Sequence, residues 1–486
     1  MTTDNEQTGG EASKPRRRWR WLVGGGILAV IVVLAVAPGC AHRPVNARET
    51  HVDPAAGYRF ANTPAQPGNS NDIFVILAFS GGGTRAAAFS FGALEALDGV
   101  KFDWHGQPRS LLDETDIISS VSGGSFTAAY YGLHGKAALK DFPEKFLYKN
   151  ITLDLGLSVL NPLNWPRLAS ADFSRIDLAA ELYDRELFGG ATFADLAAVH
   201  SRPFIVLNAT DMTYVSRFEF TQDQFDFLSS DLSSYHIARG VAASSAFPGL
   251  LTPLTVYDYQ PAPGYVRPQW LNDAADNRAA APREYAYALA MGSYLGSDRP
   301  YVHLMDGGLA DNIGLRGPAY ALTSVQNPWN LVDYLNSGKI KYLVVVTVNA
   351  KPGGVTKIDQ KEKTPGLLSV FSVVANGPMG NYSSETVQYL ADVFEQRRQN
   401  NAIAKYLKRA APFADVKYYA AELTFEDMPD PKERDYLNAL PTSFNLPREA
   451  IDRLRAAAKT LLLNSPDIQR LQSDLAQAGT TAAPEK

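Results

Sequence analysis

The sequence predicts an α/β protein whose sheet is covered on both faces, and three features of its 486 residues carry that expectation. Apolar runs of strand length recur without polar alternation, the pattern of strands buried on both sides. Helix-like segments lie between those runs. The first two runs end in glycine-rich turns that open into helices.

Ile73-Phe74-Val75-Ile76-Leu77-Ala78-Phe79 is the first such strand, stopped by Ser80-Gly81-Gly82-Gly83 and followed by a helix-like segment over 86–97. Asp116-Ile117-Ile118-Ser119 repeats the arrangement, meeting Ser122-Gly123-Gly124 and a helical stretch over 126–133. Further strands read at 204–209, 301–305 and 342–348, and together these elements predict one domain over 72–350. Pro261, Pro263, Pro268 and Pro282 interrupt the order, so 255–300 is expected to be an insertion or surface excursion. Beyond Lys351-Pro352-Gly353-Gly354 the pattern turns mostly helical, at 383–398 and 448–463, with one strand-like stretch at 416–423. Residues 351–486 therefore read as a separate C-terminal region, ending in a frayed tail.

Composition narrows the function classes. With 45% hydrophobic and 20% charged residues the chain is neither disordered nor collagen-like. A net charge of -5 provides no broad basic surface, so nucleic acid is not an expected partner. One cysteine closes no disulfide within the chain and builds no cysteine-rich zinc site. That cysteine, Cys40, ends an uncharged run over 21–41 that follows Arg16-Arg17-Arg18-Trp19-Arg20. A basic flank, an apolar run and small residues form the layout of an export signal, and the run is also long enough to span a bilayer. Both readings keep the arginines in the cytoplasm and carry everything after residue 41 across the membrane. Gly39-Cys40 is similar to the cleavage site of bacterial lipoproteins, which implies lipid attachment at Cys40 and an envelope protein facing the periplasm. An uncleaved signal anchor is the alternative. Residues 42–71, rich in Pro, Ala, Asn and Gly, are expected to form a tether.

Chemistry is expected at the glycine-rich turns. Ser122 stands between a strand and a helix with small neighbours, the demand of a nucleophile elbow, although a plain turn has the same look. In Ser80-Gly81-Gly82-Gly83-Thr84-Arg85, uncovered backbone N–H groups at a helix start suit an anion, either a nucleotide phosphate or an acyl-transfer oxyanion. No Gly-Lys-Ser/Thr follows, and a nucleophile candidate ends the very next strand, which favours the oxyanion. None of the seven histidines lies in the last 183 residues, and only His236 and His303 could take the last place of a Ser-acid-His order. His303 lies inside a strand. Asp306-Gly307-Gly308 ends that strand and is the better base, although an Asp beside two glycines also caps turns. Its ordinary pKa of ~3.9 would have to be raised by a dry site. Asp211 is a second candidate acid. Between 153 and 168 the apolar residues Leu155, Leu157, Val159, Leu160, Leu163 and Trp165 read either as a membrane-facing lip or as buried packing.

Taken in order, Gly81-Gly82-Gly83-Thr84-Arg85, the elbow at Ser122, the segment Ala242-Ala243-Ser244-Ser245-Ala246-Phe247-Pro248-Gly249-Leu250 and Asp306-Gly307-Gly308 through Asn312 resemble the patatin-like phospholipases. The resemblance covers roughly 72–350. It implies a three-layer α/β sandwich with a mainly parallel sheet and a Ser-Asp dyad without histidine. Carried over by position, Ser122 is the nucleophile, Asp306 the base, and Gly81, Gly82 and Gly83 the oxyanion donors, with Arg85 supporting the loop. It further implies phospholipid or another acyl-ester lipid as substrate, and neither metal nor cofactor. Acyl transfer on the same fold is a variant. Ser120 stands where the elbow pattern has glycine, which puts the turn in question and leaves an inactive scaffold as the non-enzyme alternative.

Overall fold

The computed structural model of the chain describes residues 42–481 except 67–68, 200, 260, 297, 325–326 and 353–366, with 367–382 and 479–481 described by backbone only. The apolar run and Cys40 lie outside these residues. Among the described residues no helix is long and apolar enough to cross a membrane.

Eight strands form the central sheet: β1 (Ile73–Phe79), β2 (Thr115–Val121), β3 (Phe204–Asp211), β4 (Ser216–Glu219), β5 (Leu254–Tyr257), β6 (Tyr301–Asp306), β7 (Tyr342–Asn349) and β8 (Lys417–Thr424). Their order is β8-β7-β1-β2-β3-β6-β5, with β4 also paired to β3. The strands from β8 through β3 run parallel. β6, β5 and β4 are antiparallel to their neighbours. Every residue of β1, β2, β3 and β7 is buried, which is why these segments lack polar alternation. The edge strand β8 alternates between buried and half-buried positions.

Helices flank this sheet. α1 (Gly83–Gly99) follows β1 and α2 (Gly123–His134) follows β2, each starting at the glycines that end its strand. α3 (Ile151–Leu160), α4 (Ile237–Ser244), α5 (Gln269–Asp276), α6 (Pro282–Gly292), α7 (Leu367–Tyr406), α8 (Arg448–Asn464) and α9 (Pro466–Thr481) follow in chain order. α8 buries Ala450, Ile451, Leu454, Ala457, Ala458, Leu461 and Leu462, a stripe of helical period, and packs it on α1. A Cβ at Gly92 of α1 would come within 2.5 Å of the Arg455 Cα, so the two backbones meet where a larger residue has no room. Arg455 of α8 also pairs with Glu95 of α1 at 2.7 Å.

Three expectations are corrected. Residues from Val45 onward are no free tether: Tyr58 and Phe60 are buried in the core, and the Tyr58 hydroxyl donates to the Ile205 carbonyl and accepts from the Ile205 N–H. An aromatic side chain among Pro and Gly suffices to anchor such a stretch when a core lies beside it. The proline-rich 255–300 segment opens with most of β5, which pairs with β6, and buries Trp270, Leu271, Met291 and Tyr294. Nor does the fold end at 350, because β8 extends the sheet in parallel register on β7 and α8 covers α1. The mostly helical character of the C-terminal part is as expected.

The chain divides into two compact units: Val45–Leu155 with Ile176–Lys486, which holds the sheet, and Gly156–Arg175 with the residues that end at Pro44. In the smaller unit Arg43 donates its backbone N–H to the Asp172 carbonyl at 3.2 Å, and its guanidinium lies 3.6 Å from the Asp172 carboxylate. Leu157, Leu160, Leu163 and Trp165 are exposed, which rules out the buried-packing reading of these side chains.

Candidate active site

β2 delivers Ser122 at its carboxyl end. Ser122 has φ 49° and ψ -117°, a positive φ that side chains rarely adopt. Such a backbone persists only where its surroundings hold it. Here the Ser122 N–H donates to Ser244 Oγ at 2.9 Å, and Ser244 Oγ donates to the Asn208 carbonyl at 2.6 Å. Ser125 Oγ lies 2.9 Å from Ser244 Oγ and 3.1 Å from Ser120 Oγ. Ser120 in turn donates to the Val206 carbonyl at 3.2 Å. The hydroxyl that replaces the family glycine therefore has a partner on β3 and does not disturb the turn.

Asp306 ends β6 in antiparallel register with Ala209. Its backbone is clamped from two sides: the N–H donates to the Ala246 carbonyl at 3.1 Å, and the carbonyl accepts from Thr210 Oγ1 at 2.8 Å. One carboxylate oxygen accepts from the Gly308 N–H at 2.8 Å, and the Ser122 hydroxyl also hydrogen-bonds the side chain. Burial raises the Asp306 pKa to about 6, against the lowering effect of these two donors. Ser122 and Asp306 are 5% and 4% exposed, so the dry surroundings that a carboxylate base needs are present.

The glycine-rich loop lies beside this pair. A Cβ on Gly81 would stand 3.3 Å from the Ser122 Cβ, and a Cβ on Gly123 would overlap the Gly83 carbonyl oxygen. Gly82 and Gly83 have φ of 139° and 61°, open to glycine and strained for anything else. Their amides have no acceptor among the described residues, whereas the Gly81 N–H donates to the Asn312 carbonyl at 2.9 Å. Gly81 is thereby removed from the expected set of oxyanion donors. Its missing side chain still matters, because it lets the loop approach the nucleophile.

Arg85 does not face an anion. It is 2% exposed and donates to the Ala350 carbonyl at 2.9 Å, the Leu440 carbonyl at 2.6 Å and Thr442 Oγ1 at 2.9 Å. Burial lowers its pKa to about 10. The Thr84 N–H donates to the Ser443 carbonyl at 2.8 Å, so the 440–443 stretch props the loop that leads into α1. Arg85 is a support, and the partners it supports against come from the C-terminal part of the chain.

The other candidates are engaged elsewhere. His303 points outward and shares a 2.9 Å hydrogen bond with Thr255. His236 precedes α4, with its ring 3.5 Å from Asp184. Asp211 is held by Arg299 at 2.8 Å and by the Tyr294 hydroxyl at 2.8 Å. Sequence reasoning missed Asn208, Thr210, Ser244, Asn312 and Ser443 as parts of the site. Ser244 and Asn312 stand inside the segments that carried the resemblance, but nothing local marks the other three.

Residues 77–318 match the family model described as patatin-like phospholipase. No curated protein matches the sequence. Among solved structures, human GIVD cytosolic phospholipase A2 is 14% identical, with 85% of this chain and 63% of that one covered at a TM-score of 0.43. The chain thus spans less than two thirds of that protein's length. VipD from Legionella pneumophila is 11% identical, with 90% and 78% covered at a TM-score of 0.28. The matched residues hold both the Ser122 elbow and the Asp306 strand end, and they make the chain a member of the patatin-like phospholipase family.

Proposed function

We propose that the protein is a membrane-tethered serine hydrolase of lipid acyl esters. The observation that carries this reading is the hydrogen bond between Ser122, on its positive-φ turn, and the buried carboxylate of Asp306, beside a loop with two uncommitted amides. Ser122 Oγ attacks the ester carbonyl while Asp306 takes its proton. The Gly82 and Gly83 N–H groups receive the oxyanion of the tetrahedral intermediate. Collapse breaks the ester bond, and Asp306 gives the proton to the leaving alcohol. Water then attacks the acyl-enzyme, Asp306 accepting its proton and returning it to Ser122 as the fatty acid leaves. The apolar run over 21–41 and Cys40 would hold the enzyme at its lipid substrate on the periplasmic side of a bacterial envelope membrane, raising the effective concentration.

A fluorophosphonate probe tests the chemistry. The wild-type protein is expected to be labelled at Ser122 and to release fatty acid from phospholipid vesicles, and Ser122→Ala to do neither. Labelling or hydrolysis retained in Ser122→Ala sinks the dyad. Incorporation of radiolabelled palmitate, abolished by Cys40→Ala, is the expected sign of lipid attachment, and its absence in the wild type leaves the uncleaved anchor.

A further inference from the structure

The smaller unit carries apolar side chains that the catalytic reading leaves unused. Leu157 and Leu160 on α3, Leu163 in the following turn and Trp165 are 54%, 69%, 81% and 50% exposed. Isolated exposed leucines are ordinary, but four within nine residues form a patch that water penalises.

The polar atoms beneath this patch are turned inward. The Asn161 N–H donates to the Leu157 carbonyl at 3.0 Å and the Asn164 N–H to the Asn161 carbonyl at 2.9 Å. Asn161 Oδ1 accepts from the Leu163 N–H at 3.1 Å, and Asn164 Nδ2 donates to the Ser158 carbonyl at 2.8 Å. Even the Trp165 indole N–H is engaged, at 3.2 Å from the Val159 carbonyl. A turn in water has no need of such complete pairing. A turn that enters a lipid interface does, because no water is left there to satisfy its backbone.

The position of the chain's N-terminal side points to the same occupant. Arg43 is hydrogen-bonded and ion-paired to Asp172 of this unit, two residues after the apolar run ends at Ala41. Two residues reach at most about 7 Å, roughly the thickness of one headgroup layer. With the run in the bilayer, Asp172 is held at the headgroups.

We propose that Leu157, Leu160, Leu163 and Trp165 insert into the outer layer of the phospholipid bilayer in which the N-terminal run is anchored, making this unit a second membrane contact. The inference rests on the membrane placement proposed above and is independent of the Ser122 chemistry. Arg43, Arg167 and Arg175 in the same unit supply cations for lipid phosphates.

The test uses the full chain with Cys40→Ala, so that one introduced cysteine takes an environment-sensitive fluorophore, at Leu163→Cys or at the exposed control Tyr406→Cys. Both proteins are reconstituted into vesicles of phosphatidylcholine and phosphatidylglycerol, with and without bromine-substituted lipid, and recovered by flotation. The expected result is that both float, that the probe at 163 shifts to the blue and loses at least half its emission to the brominated lipid, and that the probe at 406 does neither. A floating protein whose 163 probe is as unquenched as the control overturns the proposal. So does a blue shift without bromine quenching, which means that protein covers the patch. A full chain that fails to float removes the anchor and the proposal with it, while leaving fluorophosphonate labelling of Ser122 unaffected.

Discussion

Asp306 decides the pH behaviour of this protein. A buried carboxylate with a pKa of about 6 is a serviceable base only when ionised, so kcat/KM is expected to rise with pH through an inflection near 6. The same burial makes the residue a liability for stability. Its folded pKa lies above the unfolded value of ~3.9, so its contribution is fully present below that value and is lost as pH rises through 6. Two pKa units correspond to about 3 kcal/mol. Asp306→Asn is therefore expected to lose about 10²- to 10⁴-fold in kcat yet to be more stable than wild type by about 3 kcal/mol at pH 8. Urea midpoints measured between pH 4 and 8 check this, the advantage shrinking toward pH 4; a difference independent of pH refutes the assignment. At this scale the nucleophile and base were legible in the sequence, because a turn between strand and helix is written in adjacent glycines. The hydroxyl partners of Ser120 and Ser244 were not, since they come from residues far along the chain.

Among the elements, the loop from β1 into α1 depends on a distant strap. Arg85 donates to three oxygens at 350, 440 and 442, and Ser443 accepts from Thr84. Arg85→Ala leaves those buried acceptors unpaired, at about 1–3 kcal/mol. The expected outcome is a lower urea midpoint together with roughly tenfold slower fluorophosphonate labelling of Ser122, as the Gly82 and Gly83 amides lose their fixed direction. Slowed labelling without loss of stability would instead make Arg85 part of the anion site. The strand character of 416–423 was legible in its residues, but its partner was not. A strand does not carry the name of the strand beside it, and β8 joins β7 only because α8 and α9 return the chain to α1 and β8.

Across the whole molecule, the family segment is not a self-sufficient body. A chain ended after Ala350 loses β8, the α8 stripe that covers α1, and every one of the 440–443 contacts to the loop. It is expected to show no cooperative unfolding transition by circular dichroism and no labelling by fluorophosphonate; a folded, labelled fragment refutes this. Removing a covering helix exposes a run of large apolar side chains, and losses of that kind exceed the 5–15 kcal/mol that holds a typical domain.

The sequence alone determined the buried strands and their order, the two glycine-rich turns at strand ends, and the absence of a histidine suited to a Ser-acid-His order, because each is a matter of local composition and spacing. Tertiary structure alone decided that Gly81 spends its amide on Asn312 while Gly82 and Gly83 keep theirs. It alone decided that Tyr58 pins the segment after Val45 to the core, and that Ser443 and Arg85 tie the loop to the far end of the chain. The physical reason is the same in each case. A hydrogen bond or a packed ring needs a partner at a fixed distance, and which residue stands there is set by the folding of segments hundreds of residues apart.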